Sequence, residues 1–480
     1  MNESITPRNA DGLAHLHGRA IEVGATPASE VAPNLWESDY RSPGERDRDR
    51  ILYCSAFRRL ASVTQVTAPE AGHSFHNRLS HSLKVAQVGR RNAERLMHVA
   101  DAGVITGAAL DLVRSIDPGA VEASCLAHDL GHPPFGHIAE TVLNEKGKQY
   151  INDDGVFEGN AQSLRIVTRH AQRSGGSGLN LTRQTLDGLL KYPWRRWAED
   201  PLPPGTRERK WGYYKDDKAA YDFARLYSAG KDTEKSRPER SIEALIMEWA
   251  DDLTYAVHDT DDFFRASLIP LHRLADENDD EFKRLRELLE DAKAADLKAW
   301  PRYEIDDMLG TAAMVAGRFA PSGAYHHTRE HRRLMRQFDS ELITRYMGAF
   351  RVEDEKDAGK IRVSVDDTIV REVETLKMLV RVYVIRRPGL AIVQHSQQRV
   401  VSDLFEAYYE ASGEGKDGDR RIFPPGAKRT LDDGPNDPAY RARVVVDLVA
   451  GLTEETAVEL HRRFYGDGSA LTLDATAHMA

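Results

Sequence analysis

Three histidines and an aspartate fall within ten residues in the run His128-Asp129-Leu130-Gly131-His132-Pro133-Pro134-Phe135-Gly136-His137. Imidazole and carboxylate are ligands of borderline and hard divalent cations, and the run has no cysteine to suggest a thiolate-held zinc. Val121, Cys125 and Leu126 mark a helix leading into it. Gly131, Pro133 and Pro134 must end that helix, because proline cannot continue the hydrogen-bond ladder. Adjacent ligands at a helix end point about 100° apart around the axis, so both can reach one ion. A cation needs more than two protein ligands. His81, in Asn77-Arg78-Leu79-Ser80-His81-Ser82, stands at the start of a second helical pattern, and Asp251 lies off the apolar face of a third. Spacing alone leaves a bland alternative, in which the His-Asp pair is a helix-end hydrogen bond and Asp251, Tyr255 and Asp259 form a solvated stripe. The richness of the run in histidine and glycine, and a tyrosine set between two acids, favour a lined cleft.

The elements that must carry these residues are helical. Ile242, Leu245, Ile246, Trp249, Leu253, Ala256 and Val257 step along one helix face, and Val400, Val401, Leu404, Phe405 and Tyr408 repeat the pattern late in the chain. Leu79, Leu83, Ala86, Ala93, Leu96 and Met97 predict another helix, with Gly89 in its middle. Strand signals are few: Ile361 to Val365 alternates, and Val380 to Ile385 is β-branched but equally compatible with buried helix. The expected fold is mainly α, a helical fold with a small accessory β element. Its organisation reads as an N-terminal arm over 1–40, a main domain over 41–275 with an insertion at 198–240, and a helical region over 276–480 continuing the same fold. Ala171 to Asn180 reads as a flexible loop, Ser412 to Tyr440 as an exposed one, and the insertion as irregular chain with a short helix near Tyr221.

Composition bounds the function. The 480 residues include 66 Lys and Arg against 76 Asp and Glu, a net charge of −10 that argues against a general nucleic-acid coat. Two cysteines, Cys54 and Cys125, exclude a disulfide framework, and Cys125 reads as a small core residue. The start, MNESITPRNADG, has no basic flank followed by an apolar stretch, so no signal peptide is expected and the expected location is cytoplasmic. No membrane span is expected, and no GxxxxGK[ST] or GxGxxG follows a strand. His73 and His76, and His326, His327 and His331, are loosely spaced and lack the carboxylates of a metal site. Arg41, Arg46, Arg48, Arg50, Arg58 and Arg59 form a basic stretch in an acidic chain. It reads either as a helix surface paired with Asp47 and Asp49 or as a site for an effector nucleotide or single-stranded nucleic acid.

The pattern His81, His128-Asp129, Asp251 resembles the HD-domain superfamily of metal-dependent phosphohydrolases, and more specifically the deoxyguanosine triphosphate triphosphohydrolase (dNTP triphosphohydrolase) family. The resemblance rests on Phe57-Arg58-Arg59-Leu60 with Thr64-Gln65-Val66, the segment Asn77 to Ser82, and the run from His128 continuing to Glu140. It goes on through Phe157-Glu158-Gly159-Asn160-Ala161-Gln162, Lys191-Tyr192-Pro193-Trp194 and Glu248-Trp249-Ala250-Asp251-Asp252 with Tyr255, spanning roughly residues 35 to 465. HD alone is a weak signal; combined with the FEGNAQ segment it is specific. One departure is that Ala61 and Val63 stand where many relatives carry glutamine and lysine, so base preference and effector binding do not simply carry over.

The resemblance implies a role for each residue. His81, His128, Asp129 and Asp251 are the implied ligands of one divalent cation (Mn²⁺, Mg²⁺, Fe²⁺ or Co²⁺). His137 and Glu140 are the implied catalytic pair, with His132 placed to contact the α-phosphate. Arg78, Lys191 and Tyr192 are expected on phosphate oxygens, Tyr255 under the deoxyribose where it excludes a 2′-hydroxyl, and Gln65 and Asp259 on the 3′-hydroxyl. The expected reaction converts a dNTP and water to deoxynucleoside and inorganic triphosphate. A nucleotide effector and a homo-oligomer, hexamer or tetramer, are the partners the resemblance implies. Two other readings stay open: an HD phosphohydrolase acting on a nucleoside monophosphate, cyclic nucleotide or guanosine polyphosphate, and a non-catalytic nucleotide sensor.

Overall fold

The structure is a computed structural model of the 480-residue chain. It describes residues 1–8, 15–19, 39–66, 75–152, 156–173, 176–196, 210–228, 238–297, 300–321, 323–355, 359–414 and 418–466. His73, Pro203-Pro204 and much of the insertion lie outside the described residues. Within them the fold is mainly α, as the periodicity predicts, with one three-stranded sheet and a two-residue hairpin, Gln172–Arg173 with Gly176–Ser177, in the glycine-rich segment. No helix among the described residues is long and apolar enough to cross a membrane.

Three helices form the centre. Helix α1 (Arg78–Asp101) starts at a capping box: the Asn77 side chain accepts from the Ser80 amide at 2.9 Å, and the Ser80 hydroxyl accepts from the Asn77 amide at 3.1 Å. That start places Arg78 and His81 in the first turn. Helix α2 (Pro118–Ala127) is capped by Asp117 with proline in its first turn, and it stops before His128. Gly89 sits where α1 crosses α2, since a Cβ there would lie 2.5 Å from Cys125 Sγ. Helix α4 (Ile242–Arg265) buries its predicted apolar face, every residue of it 2% exposed or less.

Two apolar cores result. The first joins α1, α2 and α4 through Val85, Val121 and Leu245, and reaches Leu376 of helix α5 (Asp367–Val380). The second joins helix α3 (His137–Gly147), helix α6 (Pro388–Ala411), helix α7 (Pro438–Ala450) and helix α8 (Glu454–Tyr465) through Leu143, Leu404, Val445 and Leu460. The run from His128 to His137 passes from one core to the other. The sheet is antiparallel in the order β1 (Asn2–Ile5), β3 (Ile361–Val365), β2 (Phe350–Asp354), with Ile5 opposite Ile361 and Phe350 opposite Val365. Its alternating β3 buries Ile361, Val363 and Val365.

One open reading is decided and one expectation needs adjustment. Val380 to Ile385 is helical, α5 continuing as a π-turn over Arg381–Ile385. Ser412 to Tyr440 is not loop throughout: Pro425–Asp433 forms an exposed helix with only Leu431 buried. Proline in a first turn and glycine after a last turn both mark helix ends, so this composition punctuates a helix rather than excluding one.

The FEGNAQ segment ties the cores together. Glu158 caps the helix Gly159–Arg165 by accepting from the Asn160 amide at 2.7 Å. Gln162 Nε2 and Arg165 Nε both donate to Asp447 of α7, each at 3.0 Å. Burial disfavours the charged form of Asp447, but Arg165 and His170 outweigh it and hold its carboxyl well below the ordinary range. A depressed folded pKa gives stability that is complete above the unfolded value and lost as pH falls toward the folded one. Asp447→Asn should therefore cost about 3 kcal/mol near neutral pH. In denaturant titrations its difference from the parent should persist above roughly pH 5 and shrink below roughly pH 4.

Candidate metal centre and active site

The turn after α2 and the middle of α4 bring the implied ligands together. His81 Nε2 lies 3.1 Å from Asp251 Oδ1, and His128 Nε2 lies 3.6 Å from the same oxygen. Asp251, 170 residues from His81 in sequence, is thus where the resemblance places it. Asp129 joins at the edge: its Oδ1 lies 3.4 Å from His128 Nε2 and 3.0 Å from His132 Nδ1, while Oδ2 accepts from Arg78 Nη1 at 2.9 Å. His81, His128 and Asp251 present ligand atoms close enough to share one cation; Asp129 is turned partly toward Arg78 and lies outside that tight group.

The donor set fits a divalent cation. His128 Nδ1 donates to the Cys125 carbonyl at 2.6 Å, so Nε2 is the nitrogen that meets either a proton or a cation. That Nε2 is buried with no hydrogen-bond partner among the described residues. Burial opposes a charge on His128, yet Asp129 and Asp251 outweigh it and draw its pKa up to about 9, so the cluster demands positive charge. Burial also works against both carboxylates. It is outweighed by His128 and Arg78 at Asp129 and by Lys191 and His128 at Asp251, which hold both acids well below the usual range. Lys191 Nζ donates to Asp251 Oδ2 at 2.9 Å.

A second group lies on the other side of the turn. His137 opens α3, and its Nδ1 lies 2.7 Å from Glu140 Oε2 one turn later. The carboxylate can only accept, so Nδ1 carries the proton and Nε2 is left free. Burial raises Glu140, but Lys210 and His137 outweigh it and keep the carboxyl ionised. Lys210 Nζ lies 3.4 Å from Glu140 Oε2 and 2.9 Å from Glu158 Oε1. His132, buried beside Arg78, has its pKa lowered by burial first and then by that guanidinium, which keeps it neutral.

Both groups border one cavity of about 720 Å³, which Gln65, Arg78, Lys191, Tyr192 and Tyr255 also line. Gln65 Oε1 is buried there without a partner among the described residues. Asp259 does not line it: the side chain is 3% exposed, and burial first, then Asp262 and Asp251, push its carboxyl well above the ordinary range. Several cavity residues carry no recognisable spacing in sequence. Lys210 lies within the insertion, Lys377 comes from α5 and Gln394 and Gln397 from α6, and Glu454 begins α8. Only the adjacency of Lys210 to an aromatic Trp-Gly-Tyr-Tyr stretch sets it apart locally.

The other candidates have ordinary partners. His76 pairs with Asp262 at 2.6 Å and Lys84 at 2.6 Å, and His326, His327 and His331 form no three-ligand group among the described residues. In the basic stretch, Arg41 pairs with Asp39 and Asp49, Arg48 with Asp49, and Arg50 with Asp47, while Arg59 turns inward.

Removing a donor should remove the ion. His128→Ala and Asp251→Ala should lose bound Mn²⁺ in elemental analysis. Saturating Mn²⁺ at 100 times Kd should stabilise the parent by about 2.7 kcal/mol. It should leave both variants unmoved in thermal melts.

Comparison with known proteins agrees with this geometry. The HD domain family matches residues 78–256, from the start of α1 into α4, and the phosphohydrolase-associated domain family matches residues 363–463. A deoxyguanosinetriphosphate triphosphohydrolase-like protein of Streptomyces coelicolor is 35% identical over 470 residues, covering 94% of this chain and 100% of that protein. Proteins of the same description from Corynebacterium efficiens and Shewanella woodyi are 33% and 29% identical, covering 96% and 89% of this chain and 98% and 93% of their own. With matched segments that begin at Arg78 and include the whole His128–His137 turn, the chain belongs to the HD-domain family of deoxyguanosinetriphosphate triphosphohydrolase-like proteins.

Proposed function

We propose that this chain is a cation-dependent hydrolase that converts dGTP, or deoxynucleoside triphosphates more broadly, to deoxynucleoside and inorganic triphosphate. The observation that carries this reading is the meeting of His128, Asp251, His137 and Tyr255 in one cavity large enough for a nucleotide. The description of the relatives names the same substrate class.

A divalent cation held by His81, His128, Asp129 and Asp251 would supply charge neutralisation at the phosphate oxygens. Arg78 and Lys191 hold the triphosphate tail in this reading, and His132, kept neutral, contacts the α-phosphate without adding charge. Tyr192 and Lys210 border the same space. Tyr255 lies one helical turn, about 6 Å, beyond Asp251 on α4. Its ring floors the deoxyribose there and leaves no room for a 2′-hydroxyl. Gln65, which lines the cavity, takes the 3′-hydroxyl, while Asp259 stands buried one turn behind Tyr255 and does not line the cavity. Water adds to the α-phosphorus, the bond to the sugar 5′-oxygen breaks, and His137 moves a proton at its free Nε2. Glu140 fixes the ring and stabilises its charged form.

Phosphorus NMR of the products tests the reaction. Triphosphate together with free deoxynucleoside is expected, and pyrophosphate or orthophosphate would overturn the assignment. His137→Ala should lower kcat by about 10²–10⁴ while the bound metal is retained. A matched panel should show dNTP hydrolysed and NTP spared.

A further inference from the structure

Arg59 and Glu454 grip the turn that carries the site's histidines without belonging to the set of groups assigned to metal or phosphate. Arg59 ends the short helix Ser55–Arg59. Its Nη2 donates to the carbonyls of Leu130 and His132, each at 2.8 Å, and its Nη1 to the carbonyl of Leu452 at 3.1 Å. Among the described residues no carboxylate forms an ion pair with it. Burial depresses its pKa to about 10, with Arg78 adding to the effect, so it is still charged at neutral pH. A half-buried guanidinium balanced only by neutral carbonyls is a poor way to gain stability, because an apolar side chain of the same volume avoids the desolvation cost. What the guanidinium uniquely provides is several donors in a rigid fork.

Glu454 supplies the other grip. It is the first residue of α8, and its carboxylate accepts from the Thr64 amide at 2.9 Å, the Thr64 hydroxyl at 2.7 Å and the Phe135 amide at 3.2 Å. Phe135 has φ +66°, a left-handed conformation that costs a non-glycine residue about 1–3 kcal/mol and persists only where its surroundings hold it. The turn is therefore held at Leu130 and His132 by Arg59 and at Phe135 by Glu454. His132 lies inside that span and His137 two residues beyond it. Both grips also reach the Leu452–Glu454 segment at the start of α8, in the second core.

We propose that Arg59 and Glu454 are positioning residues, a clamp through which the C-terminal helix α8 sets His132 and His137 against the groups carried by the first core. The clamp rests on the triphosphohydrolase reading for its kinetic consequence, but not for its structural one. A displacement near 1 Å at a reacting group can cost about 10²-fold in rate, so loosening either grip acts on kcat. Arg78, Lys191 and Tyr255 sit on other elements, so loosening the Arg59 grip spares nucleotide affinity, whereas Glu454 also holds Thr64 beside Gln65 and so bears on both kcat and KM.

The test uses full-length, Mn²⁺-loaded protein carrying Arg59→Ala or Glu454→Ala. In each, kcat should fall by about 10- to 100-fold with metal content unchanged, and in Arg59→Ala KM should change less than about threefold. Deuterium uptake should rise in peptides covering residues 130–137 and stay at the parent level over α4. Added guanidinium should restore part of the Arg59→Ala activity, a rescue that lost packing would not show. Unchanged kcat, or unchanged uptake over 130–137, would overturn the clamp. If either variant fails to fold, Arg59→Lys and Glu454→Gln are judged by the same two readouts. If the parent itself releases no triphosphate from any dNTP, the proposed reaction fails, and deuterium uptake alone decides the clamp.

Discussion

Asp129, buried, and Asp251, half-buried, both lie against one imidazole nitrogen, and their mutual repulsion has to be balanced by positive charge. Arg78 pairs with the first and Lys191 with the second, each at 2.9 Å. The remaining demand falls on the space that His81, His128 and Asp251 share. A helix that stops at Ala127 is what turns His128 and Asp129 into this space, and the capping box at Asn77 is what starts α1 early enough for Arg78 and His81 to meet them. Continuing α2 by one turn, or beginning α1 one turn later, would separate the set. The convergence of these side chains thus depends on two helix ends.

The second constraint is the seam between the cores. His81, His128 and Asp251 stand on elements of the first core, whereas His137 and Glu140 stand on α3 in the second. The turn between them is short and packed against its neighbours: a Cβ on Gly131 would fall 2.1 Å from the Gly159 carbonyl oxygen. Only a residue without a side chain lets the turn lie against the FEGNAQ helix, whose Gln162 and Arg165 then reach across to Asp447. The glycines, the cap at Glu158 and the Asp447 pairings all serve one purpose, keeping two separately packed halves in register at the reactive groups.

Charge along the cavity is arranged in alternation. Lys210 lies between Glu140 and Glu158, and Lys377 between Asp252 and Glu374. Lys210 keeps Glu140 ionised in a place where burial alone would protonate it. Asp259 has no such partner and is held neutral. One helix thus carries an ionised acid at 251, which lines the cavity, and a protonated one two turns later, which is buried behind it.

Much of this is legible in residue order. Helical spacing locates α1, α4 and α6 because a buried face must repeat every turn, and proline and glycine locate the end of α2 because they act on the backbone within a residue or two. Resemblance to the HD family groups His81, His128, Asp129 and Asp251 on motif alone, and they do converge, with Asp129 at the edge. The exposed helix at Pro425–Asp433 escapes local pattern because its end signals are the same residues that mark loops. Other decisions belong to the tertiary structure alone. Lys210, Lys377 and Glu454 line the cavity, and Arg59 leaves a run of surface arginines to face inward, because elements distant in sequence are packed together there. Local pattern reports how each segment meets water and its own backbone; which distant segment supplies its opposite charge or its carbonyl is settled only when the cores close, and that closure is what makes a site of them.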